Sequence, residues 1–496
     1  MTMRLKDILS IVVRLSAGEV LYLSGGYLRD LLLGRDSHDL DFTVARHPRR
    51  IATSFADLIG GSYFLMDEEH QVHRVVRGDF KYDFSLMRAK SIQDDLRLRD
   101  FTINALAIAL DDKLSVSGEL DVTKLIDPCR GVGDIKGKKI RVAYRGAFVD
   151  DPIRMLRAVR LAGELGFEIE EETLRLIAGH KHLINVRRQP TAEGGLPKGL
   201  SGERIRDELE KVLSLNNSYR YIRQLDRLRL LGLIIPEIEP MKGAEQGGYH
   251  HLDVWEHSLA VLESLETILA NTDAHFGDLG GEVVGHLEQE MSGGRPVSTV
   301  LKLAALLHDV AKPETKVINE EGQIKFYGHE SSAIPTVLGV AHDLRLSAHE
   351  RSLLRDIVAN HMHVGHLSRD VPPTKRAMLR FFRKAGGAAV PVIVLALADG
   401  QAIGGIYTNP DLYGKLLSTV RCLLDFYYTE LKAEKPPRYI NGNDILNSFP
   451  VKEGPIIGRL LEGVEEAAVE GKVKSREDAL RLVAEMLQEK KNEKVL

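Results

Sequence analysis

The sequence predicts a multidomain protein, in which an α+β domain with a mixed sheet and helices precedes an all-α body. Up to about residue 145, short apolar runs of strand type alternate with helical patterns. After Asp151-Pro152, apolar residues recur at spacings of three and four almost throughout, which is the period of an amphipathic helix. A chain of 496 residues is long enough for several domains with separate cores.

Composition narrows the class of protein. With 44% hydrophobic and 28% charged residues, the chain is typical of soluble globular proteins. The longest strongly apolar run, Val390 to Ala398, is too short to cross a bilayer, so we expect no membrane partner. The two cysteines, Cys129 and Cys422, are too few for a disulfide framework or a thiolate metal site, which favours the cytoplasm.

The first domain begins with several short predicted strands. In chain order they are LYLSGG, HDLDFTV, SYFLM, HRVVRG and KYDFSLM, and a later segment, LRDFTINALAIAL, has a helical pattern. Side chains alternate between the two faces of a strand, so Asp39 and Asp41 should project from the same side. Adjacent carboxylates repel each other unless a cation lies between them, which predicts a cation site on this strand.

A double glycine precedes that strand, in the segment LYLSGGYLRD. Gly25 and Gly26 allow a tight turn whose N–H groups can face phosphate oxygens at the start of the next helix, where Arg29 lies. Paired aspartates can hold Mg²⁺, which bridges triphosphate oxygens during nucleotidyl transfer. A turn before an ordinary polar strand edge explains the isolated fragment equally well. Asp83 could be a third acidic group near the metals, although a solvent-facing strand aspartate is the simpler explanation.

The next helix is predicted to begin at Asp151-Pro152, with aspartate as N-cap and proline at the first helical position. Arg154 and Arg157 then follow Asp151 by one turn each. A carboxylate beside a guanidinium can hydrogen-bond to the Watson–Crick edge of a nucleobase, whereas a surface salt bridge explains Asp151 and Arg154 alone. Residues 141 to 230 contain 17 lysines and arginines, 14 of them arginine, against 13 acids. Phosphate contacts or solvated helix faces would both account for this balance.

A second cluster of chemistry-bearing residues begins at YHHLDVWEHSLAVL and extends to LLHDVAKP. It places His257 and the adjacent pair His308-Asp309 on helical segments. Imidazole and carboxylate groups are good ligands for divalent metals, so these residues predict a metal site.

Four motifs, taken in order, resemble those of the bacterial (class II) tRNA nucleotidyltransferases and their poly(A) polymerase relatives. The head motif matches at Gly25, Gly26, Arg29, Asp30, Asp39 and Asp41, and the Arg-Arg-Asp motif matches at Arg99, Asp100 and Asn104 but differs at Leu98. The segment IDPCRGVGDI resembles the flexible-loop motif, which begins at Asp127. The segment VDDPIRMLRAVRLAGELGF resembles the acidic-Asp-x-x-Arg segment, with Asp150 in place of glutamate. The resemblance implies that Asp39 and Asp41 are catalytic and bind Mg²⁺. It implies nucleotide binding by Gly25, Gly26, Arg29, Arg99, Asp100, Asp151, Arg154, Arg157 and Arg160.

The histidine pattern resembles the HD phosphohydrolase superfamily. That resemblance implies that His257, His308, Asp309 and Asp399 bind a second divalent metal of unknown identity, and His329 and His361 occupy positions of further ligands in two-metal members. It also implies phosphatase or 2′,3′-cyclic phosphodiesterase activity toward damaged 3′ ends.

The implied function is addition or repair of the 3′-terminal CCA of tRNA from CTP and ATP without a nucleic-acid template. One alternative is a poly(A) polymerase, or an enzyme that adds only CC or only A; another is an HD phosphohydrolase with a nucleotide-binding head. Polyadenylating relatives carry a basic segment where this chain has the acidic GGSYFLMDEE, which favours CCA addition. We therefore expect tRNA, CTP and ATP as partners.

The predicted organisation has four parts. They are a nucleotidyltransferase head (1–148), a helical base-selecting and RNA-binding region (149–240), an HD-type metal-binding domain (241–405) and a C-terminal helical tRNA-binding segment (406–496). Glycine and proline predict loops at 191–202, 243–251 and 433–442.

Overall fold

The computed structural model describes residues 4–111, 120–184, 200–247, 252–291, 293–403, 410–432 and 438–493. Parts of the three predicted loops, residues 191–199, 248–251 and 433–437, lie outside these ranges. The chain separates into two compact units. Unit 1 comprises Met1–Leu215 and Gln224–Ile234, and unit 2 comprises Asn216–Arg223 and Ile235–Leu496.

Unit 1 contains the predicted mixed sheet, with strand order β3-β4-β5-β2-β1-β6. Its strands are β1 (Leu21–Ser24), β2 (Asp39–Val44), β3 (Ser62–Asp67), β4 (Val72–Arg77), β5 (Phe80–Leu86) and β6 (Ala107–Ala109). Strands β2 and β5 run parallel, and the other neighbours pair antiparallel. The five strands expected from the sequence are confirmed. A separate parallel pair joins β7 (Lys139–Ile140) to β8 (Glu168–Ile169).

The helix predicted for LRDFTINALAIAL is wrong. The segment forms one turn of 3₁₀-helix at Thr102–Asn104 and then strand β6. Strand β6 pairs with Tyr22–Ser24 of β1, and Gly25 N donates a 3.0 Å hydrogen bond to the carbonyl oxygen of Leu106. Bonds to the sheet therefore replace those that a helix would have made.

The two faces of β2 have different roles. Leu40, Phe42 and Val44 are buried on one face. The ring of Phe42 stacks on Phe84 of β5 with centroids 5.0 Å apart, and Phe55 of the helix Pro48–Ile59 lies 5.4 Å from Phe84. Because side chains alternate along the strand, this apolar packing directs the intervening aspartates to the opposite face.

The helices of unit 1 surround the sheet and continue beyond it. They are α1 (Leu5–Ser16), α2 (Gly26–Leu32), α3 (Pro48–Ile59), α4 (Ile92–Arg97), α5 (Gly131–Lys136), α6 (Ala147–Asp150), α7 (Arg154–Leu165), α8 (Glu171–His180) and α9 (Gly202–Leu213), followed in the chain by α10 (Ser218–Arg227) and α11 (Leu231–Ile234). The predicted N-cap at Asp151 is wrong, because α7 begins at Arg154 after a turn. The side chain of Asp151 pairs with Arg204 instead of capping the helix.

Unit 2 is helical in its described part apart from one hairpin, β9 (Lys316–Ile318) and β10 (Ile324–Phe326). Its helices are α12 (Val254–Ala270), α13 (Thr272–Phe276), α14 (Gly280–Leu287), α15 (Val297–Leu307), α16 (Lys312–Thr315), α17 (His329–Asp343), α18 (Ala348–Asn360), α19 (Met362–Leu367), α20 (Lys375–Ala385), α21 (Ala389–Ala402), α22 (Pro410–Asp425), α23 (Gly442–Ser448), α24 (Pro455–Val469) and α25 (Arg476–Glu493). The prediction of a helical body is therefore confirmed, and the hairpin of β9 and β10 is an element that the sequence did not predict.

One helical stretch in the described residues, Lys375–Ala402, is long and apolar enough to span a membrane by length and composition. Its most apolar window is 78% buried inside the protein. The core helices of water-soluble proteins have the same properties, and this burial is what a core helix requires.

Candidate active site and metal centre

A cleft of about 1340 Å³ opens on the polar side of the sheet in unit 1. Every residue predicted to bind nucleotide or Mg²⁺ in the first half of the chain lines it. These residues are Gly25, Gly26, Arg29, Asp39, Asp41, Arg99, Asp100, Asp151, Arg154, Arg157 and Arg160. The structure therefore brings together side chains that are separated by more than 100 positions in the sequence.

The turn between β1 and α2 approaches the carboxylates closely. Gly25 has φ +81°, a conformation that side-chain-bearing residues rarely adopt. A Cβ atom at this position would lie 2.5 Å from Oδ2 of Asp41. Only glycine fits at position 25, which explains the first residue of the double glycine.

Three aspartates line the cleft around the end of β2. Asp41 is in register with Asp83 on the parallel strand β5, and Asp83 receives two hydrogen bonds from Arg74, at 2.8 and 2.7 Å. Burial, and to a lesser extent the charges of Asp83 and Asp39, raise the pKa of Asp41. Arg99 and Arg74 oppose this increase, and the resulting pKa is about 7. A cation among these carboxylates would relieve both repulsion and desolvation, so the donor set fits a divalent metal.

The interpretation of Asp83 as a solvent-facing aspartate is wrong, because its side chain lines the cleft and pairs with Arg74. Strand alternation in KYDFSLM is compatible with either face. Only the pairing of β5 with β2 decides that Asp83 lies opposite Asp41.

A chain of hydrogen bonds connects the arginines along the cleft. Arg29 binds Asp30 through two hydrogen bonds of 2.9 Å and donates a third, of 2.7 Å, to Oδ1 of Asn104. Asn104 donates to Asp100 at 3.1 Å, and Asp100 accepts from Nη1 of Arg157 at 3.1 Å. The conformations of these side chains are therefore mutually constrained in the free protein.

The segment expected to select the base has partners that sequence reasoning missed. Nη1 of Arg154 donates to the hydroxyl of Tyr144 at 3.2 Å, and that hydroxyl donates to Asp150. Asp151 pairs with Arg204 of α9 at 2.7 Å. Both Tyr144 and Arg204 line the cleft. No local pattern marks these two residues, because each reaches its partner only through the fold.

Unit 2 contains a cluster of six side chains, which we call the histidine cluster: His257, His308, Asp309, His329, His361 and Asp399. All the predicted ligands are therefore brought together. His257, His308 and Asp309 form one group whose ligand atoms lie within 4.8 Å of one another, and Asp309, His329 and His361 form a second. Nε2 of His257 lies 2.9 Å from Oδ1 of Asp399, which joins Asp399 to the first group.

Backbone contacts orient the imidazole rings. Nδ1 of His308, His329 and His361 lies 3.0, 3.0 and 2.7 Å, respectively, from a backbone carbonyl oxygen one turn earlier. Each contact directs Nε2 of the ring toward the cluster. This is the arrangement by which proteins fix histidine ligands for a metal.

The electrostatics of the histidine cluster also fit a metal. Nε2 of His308 and Oδ2 of Asp309 are buried 3.1 Å apart, and Nζ of Lys312 lies 2.6 Å from the same Oδ2. Burial alone would raise the pKa of Asp309, but His308 and Lys312 hold it well below its ordinary value. Burial and the nearby His308 lower the pKa of His361 to about 4, so this imidazole is neutral and can bind a divalent cation.

The mixed sheet, the double-glycine turn and the facing carboxylates define a nucleotidyltransferase head, which is joined to a helical body. Known proteins agree with this class. Residues 21–141 match the poly A polymerase head domain, residues 196–242 match a probable RNA and SrmB-binding site of polymerase A, and residues 430–484 match a putative second domain of tRNA nucleotidyltransferases. Three separate segments of the chain therefore match models drawn from poly(A) polymerases and tRNA nucleotidyltransferases.

Relatives align with nearly the whole chain. An A-adding tRNA nucleotidyltransferase of Deinococcus radiodurans is 29% identical over 94% of this chain and 95% of its own length. A CC-adding tRNA nucleotidyltransferase of Thermus thermophilus is 28% identical over 92% and 91%. The fold resembles that of a CCA-adding enzyme in complex with ATP, with a TM-score of 0.61, 22% identity and coverage of 97% of this chain and 95% of the other.

Proposed function

We propose that this chain is a Mg²⁺-dependent tRNA nucleotidyltransferase that adds or repairs the 3′-terminal CCA of tRNA from CTP and ATP and releases pyrophosphate. The observation that carries the proposal is the close approach of the Gly25 turn to Asp41 in a cleft that also holds Asp39. Relatives named for the addition of A or of CC to tRNA support the same substrate class. We place the protein in the cytoplasm.

The geometry supports a distinct role for each part of the cleft. The N–H groups at Gly25 and Gly26 and the guanidinium of Arg29 would hold the triphosphate. Arg99 and Asp100 would contact the ribose. Asp39 and Asp41 would hold Mg²⁺, which, when bound, stabilises negative charge on the phosphate oxygens.

Base selection would fall to the next segment of the cleft. Asp151, Arg154 and Arg157 offer acceptors and donors for the edge of cytosine or adenine, with Arg160 beside them. In the reaction the 3′-hydroxyl of the RNA loses its proton to water and its oxygen forms a bond to the α-phosphorus, while the bond from that phosphorus to the bridging oxygen breaks and pyrophosphate leaves. The residues of the cleft align these two groups.

A second candidate function is addition of only CC or only A. It is favoured by the relatives that align over more than 90% of the chain, because these are named for one or the other partial reaction. Both candidates use the same chemistry and differ in where the enzyme begins and stops.

One experiment separates these functions. The protein is incubated with tRNA transcripts that lack CCA, end in C or end in CC, with CTP and ATP supplied separately and together, and the 3′ ends are sequenced. We expect C, C and A to be added, followed by a stop. Arrest after CC, or addition of A to the CC-ended transcript alone, would establish the second candidate, and a long A tail would establish a poly(A) polymerase.

We also propose that residues 241–405 form an HD-type domain whose histidine cluster hydrolyses phosphate esters at RNA 3′ ends. Support comes from Asp309, which belongs to both groups of candidate ligands. RNA with a 2′,3′-cyclic phosphate end, incubated with the protein and Ni²⁺, Mn²⁺ or Mg²⁺, should be opened by the wild type and not by His308→Ala. Equal rates in the two proteins would refute this activity.

We propose that each of the predicted parts of the chain has its own function. The head (1–148) would transfer the nucleotide, residues 149–240 would select the base and residues 406–496 would bind tRNA. Proteins recognise such RNA mainly by shape and phosphate contacts.

A further inference from the structure

Glu208 is a buried carboxylate that no motif in the sequence marks. It lies on α9 and is 5% exposed. Its Oε1 accepts a 3.2 Å hydrogen bond from Nε of Arg157, and its Oε2 accepts a 2.6 Å hydrogen bond from Nε of Arg160. The two arginines are three residues apart on α7, so one carboxylate holds two guanidinium groups on adjacent turns of a single helix.

The two arginines line the nucleotide cleft, whereas Glu208 is not among the described residues that line it. Arg157 also donates from Nη1 to Asp100, and Arg160 donates to Glu164. Each guanidinium is therefore held from two directions. A free arginine side chain carries about 2 kcal/mol of rotamer entropy, so this restraint matters for the binding of a ligand.

The charge of Glu208 also favours its role in holding the two arginines. Burial on its own would raise the pKa of Glu208, but Arg160 and Arg157 lower it below the ordinary value of 4.5, so the carboxylate is ionised at neutral pH. An ionised acceptor shared by two donors fixes the planes of both guanidinium groups. Their remaining N–H donors can then face the cleft without rearrangement.

We propose that Glu208 is a positioning residue that orients Arg157 and Arg160 for the incoming nucleotide. This inference rests on the proposed function of the cleft. Glu208 acts through the two arginines and does not itself contact the nucleotide. It connects α9, in the segment that matches an RNA-binding region, to the helix that carries the base-selecting residues.

The test compares Glu208→Gln with the wild type in steady-state addition of CMP and AMP to tRNA. The amide keeps the shape but loses the charge and one acceptor. We expect KM for the nucleotide to rise about tenfold, the effect of one lost charge-assisted hydrogen bond, while kcat changes by less than about threefold. Glu203→Gln, at an exposed position of the same helix, is the matched control and should behave as the wild type.

Two further variants separate positioning from a structural role. Glu208→Asp retains the carboxylate and should restore part of the lost affinity. In an Arg160→Gln background, Glu208→Gln should raise KM by a clearly smaller factor than in the wild type, since one of the groups it orients is gone. An unchanged KM in folded Glu208→Gln, equal factors in the two backgrounds, or a loss confined to kcat would overturn the proposal.

Binding of CTP and ATP to the tRNA-free protein, measured by calorimetry, separates this proposal from the proposed function. Tighter nucleotide binding by the wild type than by Glu208→Gln supports positioning. A wild type that binds both nucleotides as weakly as the variant overturns it. A wild type that binds nucleotide but adds none to tRNA overturns the proposed function instead.

Discussion

The cleft of unit 1 and the histidine cluster of unit 2 both gather acidic side chains, but they do so in opposite ways. In the cleft, Asp41 lies near Asp83 and Asp39, Arg99 and Arg74 act on its charge, and the cleft opens to solvent. In the histidine cluster, Asp309 is 1% exposed and lies among imidazoles that are fixed by backbone contacts. The cleft suits a ligand that brings its own phosphates, whereas the cluster suits a resident metal.

The difference shows how two sites with similar residue types acquire different chemistry. Guanidinium groups bind oxyanions through pairs of N–H donors, and the cleft presents several of them already paired with carboxylates. A neutral imidazole such as that of His361 offers a lone pair to a cation. The surrounding partners, more than the number of aspartates, distinguish the candidate nucleotide site from the candidate metal site of the histidine cluster.

The largest expected effect is on nucleotide addition, which should depend on the cleft of unit 1 and not on the histidine cluster of unit 2. Asp39→Ala should lower nucleotide addition by roughly 10³-fold or more, because a proposed ligand of the phosphate-bound cation is lost. His308→Ala should leave addition intact, since His308 lies in unit 2. The measurement is incorporation of labelled CMP into tRNA that lacks CCA. Loss of addition in both variants would show that the functions have been divided wrongly.

A substitution at Gly25 tests whether the close approach of the turn to Asp41 matters for activity. Gly25→Ala places a Cβ atom 2.5 Å from Oδ2 of Asp41 in a conformation of positive φ. Displacement of the carboxylate should lower kcat/KM by about 10²-fold, the typical cost of a 1 Å misplacement. Gly34→Ala is the matched control, because Gly34 also has positive φ but meets no atom within 4 Å. Equal losses in the two variants would mean that backbone strain alone is responsible.

Metal removal tests whether the histidine cluster holds a resident metal ion. Chelation should lower the unfolding temperature of the wild type, since a metal at 100 times its Kd stabilises the folded state by about 2.7 kcal/mol. His361→Ala should contain less metal by mass spectrometry and respond less to chelation. Asp39→Ala should retain the wild-type metal content after gel filtration. Similar metal loss in both variants would contradict the view that the cluster holds a resident metal whereas the cation of the cleft arrives with the nucleotide.

The smallest effect concerns pH and the stability of unit 1. The folded pKa of Glu208 lies below its ordinary value of 4.5, so its contribution to stability is present above that pH and is lost as the pH falls through the folded pKa. Glu208→Gln should lower the free energy of unfolding by on the order of 2 kcal/mol at pH 7. The difference in unfolding temperature from the wild type should narrow toward pH 4. A constant difference would show that Glu208 contributes by packing alone.

Local patterns were sufficient for much of this description. The alternation of HDLDFTV predicted that Asp39 and Asp41 share a face, and the double glycine predicted the turn before α2. Both are confirmed, because strand period and glycine conformation depend on a few neighbouring residues. The same reasoning failed for LRDFTINALAIAL, where pairing with β1 overrides a helical pattern.

By itself, the sequence determined the first five strands of the sheet, which face of β2 is polar and which histidines and acids are available as ligands. Only the tertiary structure decided that Asp83 lies opposite Asp41, that Arg204 pairs with Asp151 and that Glu208 holds two arginines of α7. The reason is physical. Periodicity acts over a few residues, whereas these pairs are separated by about 40 to 50 positions and meet only when strands pair and helices pack.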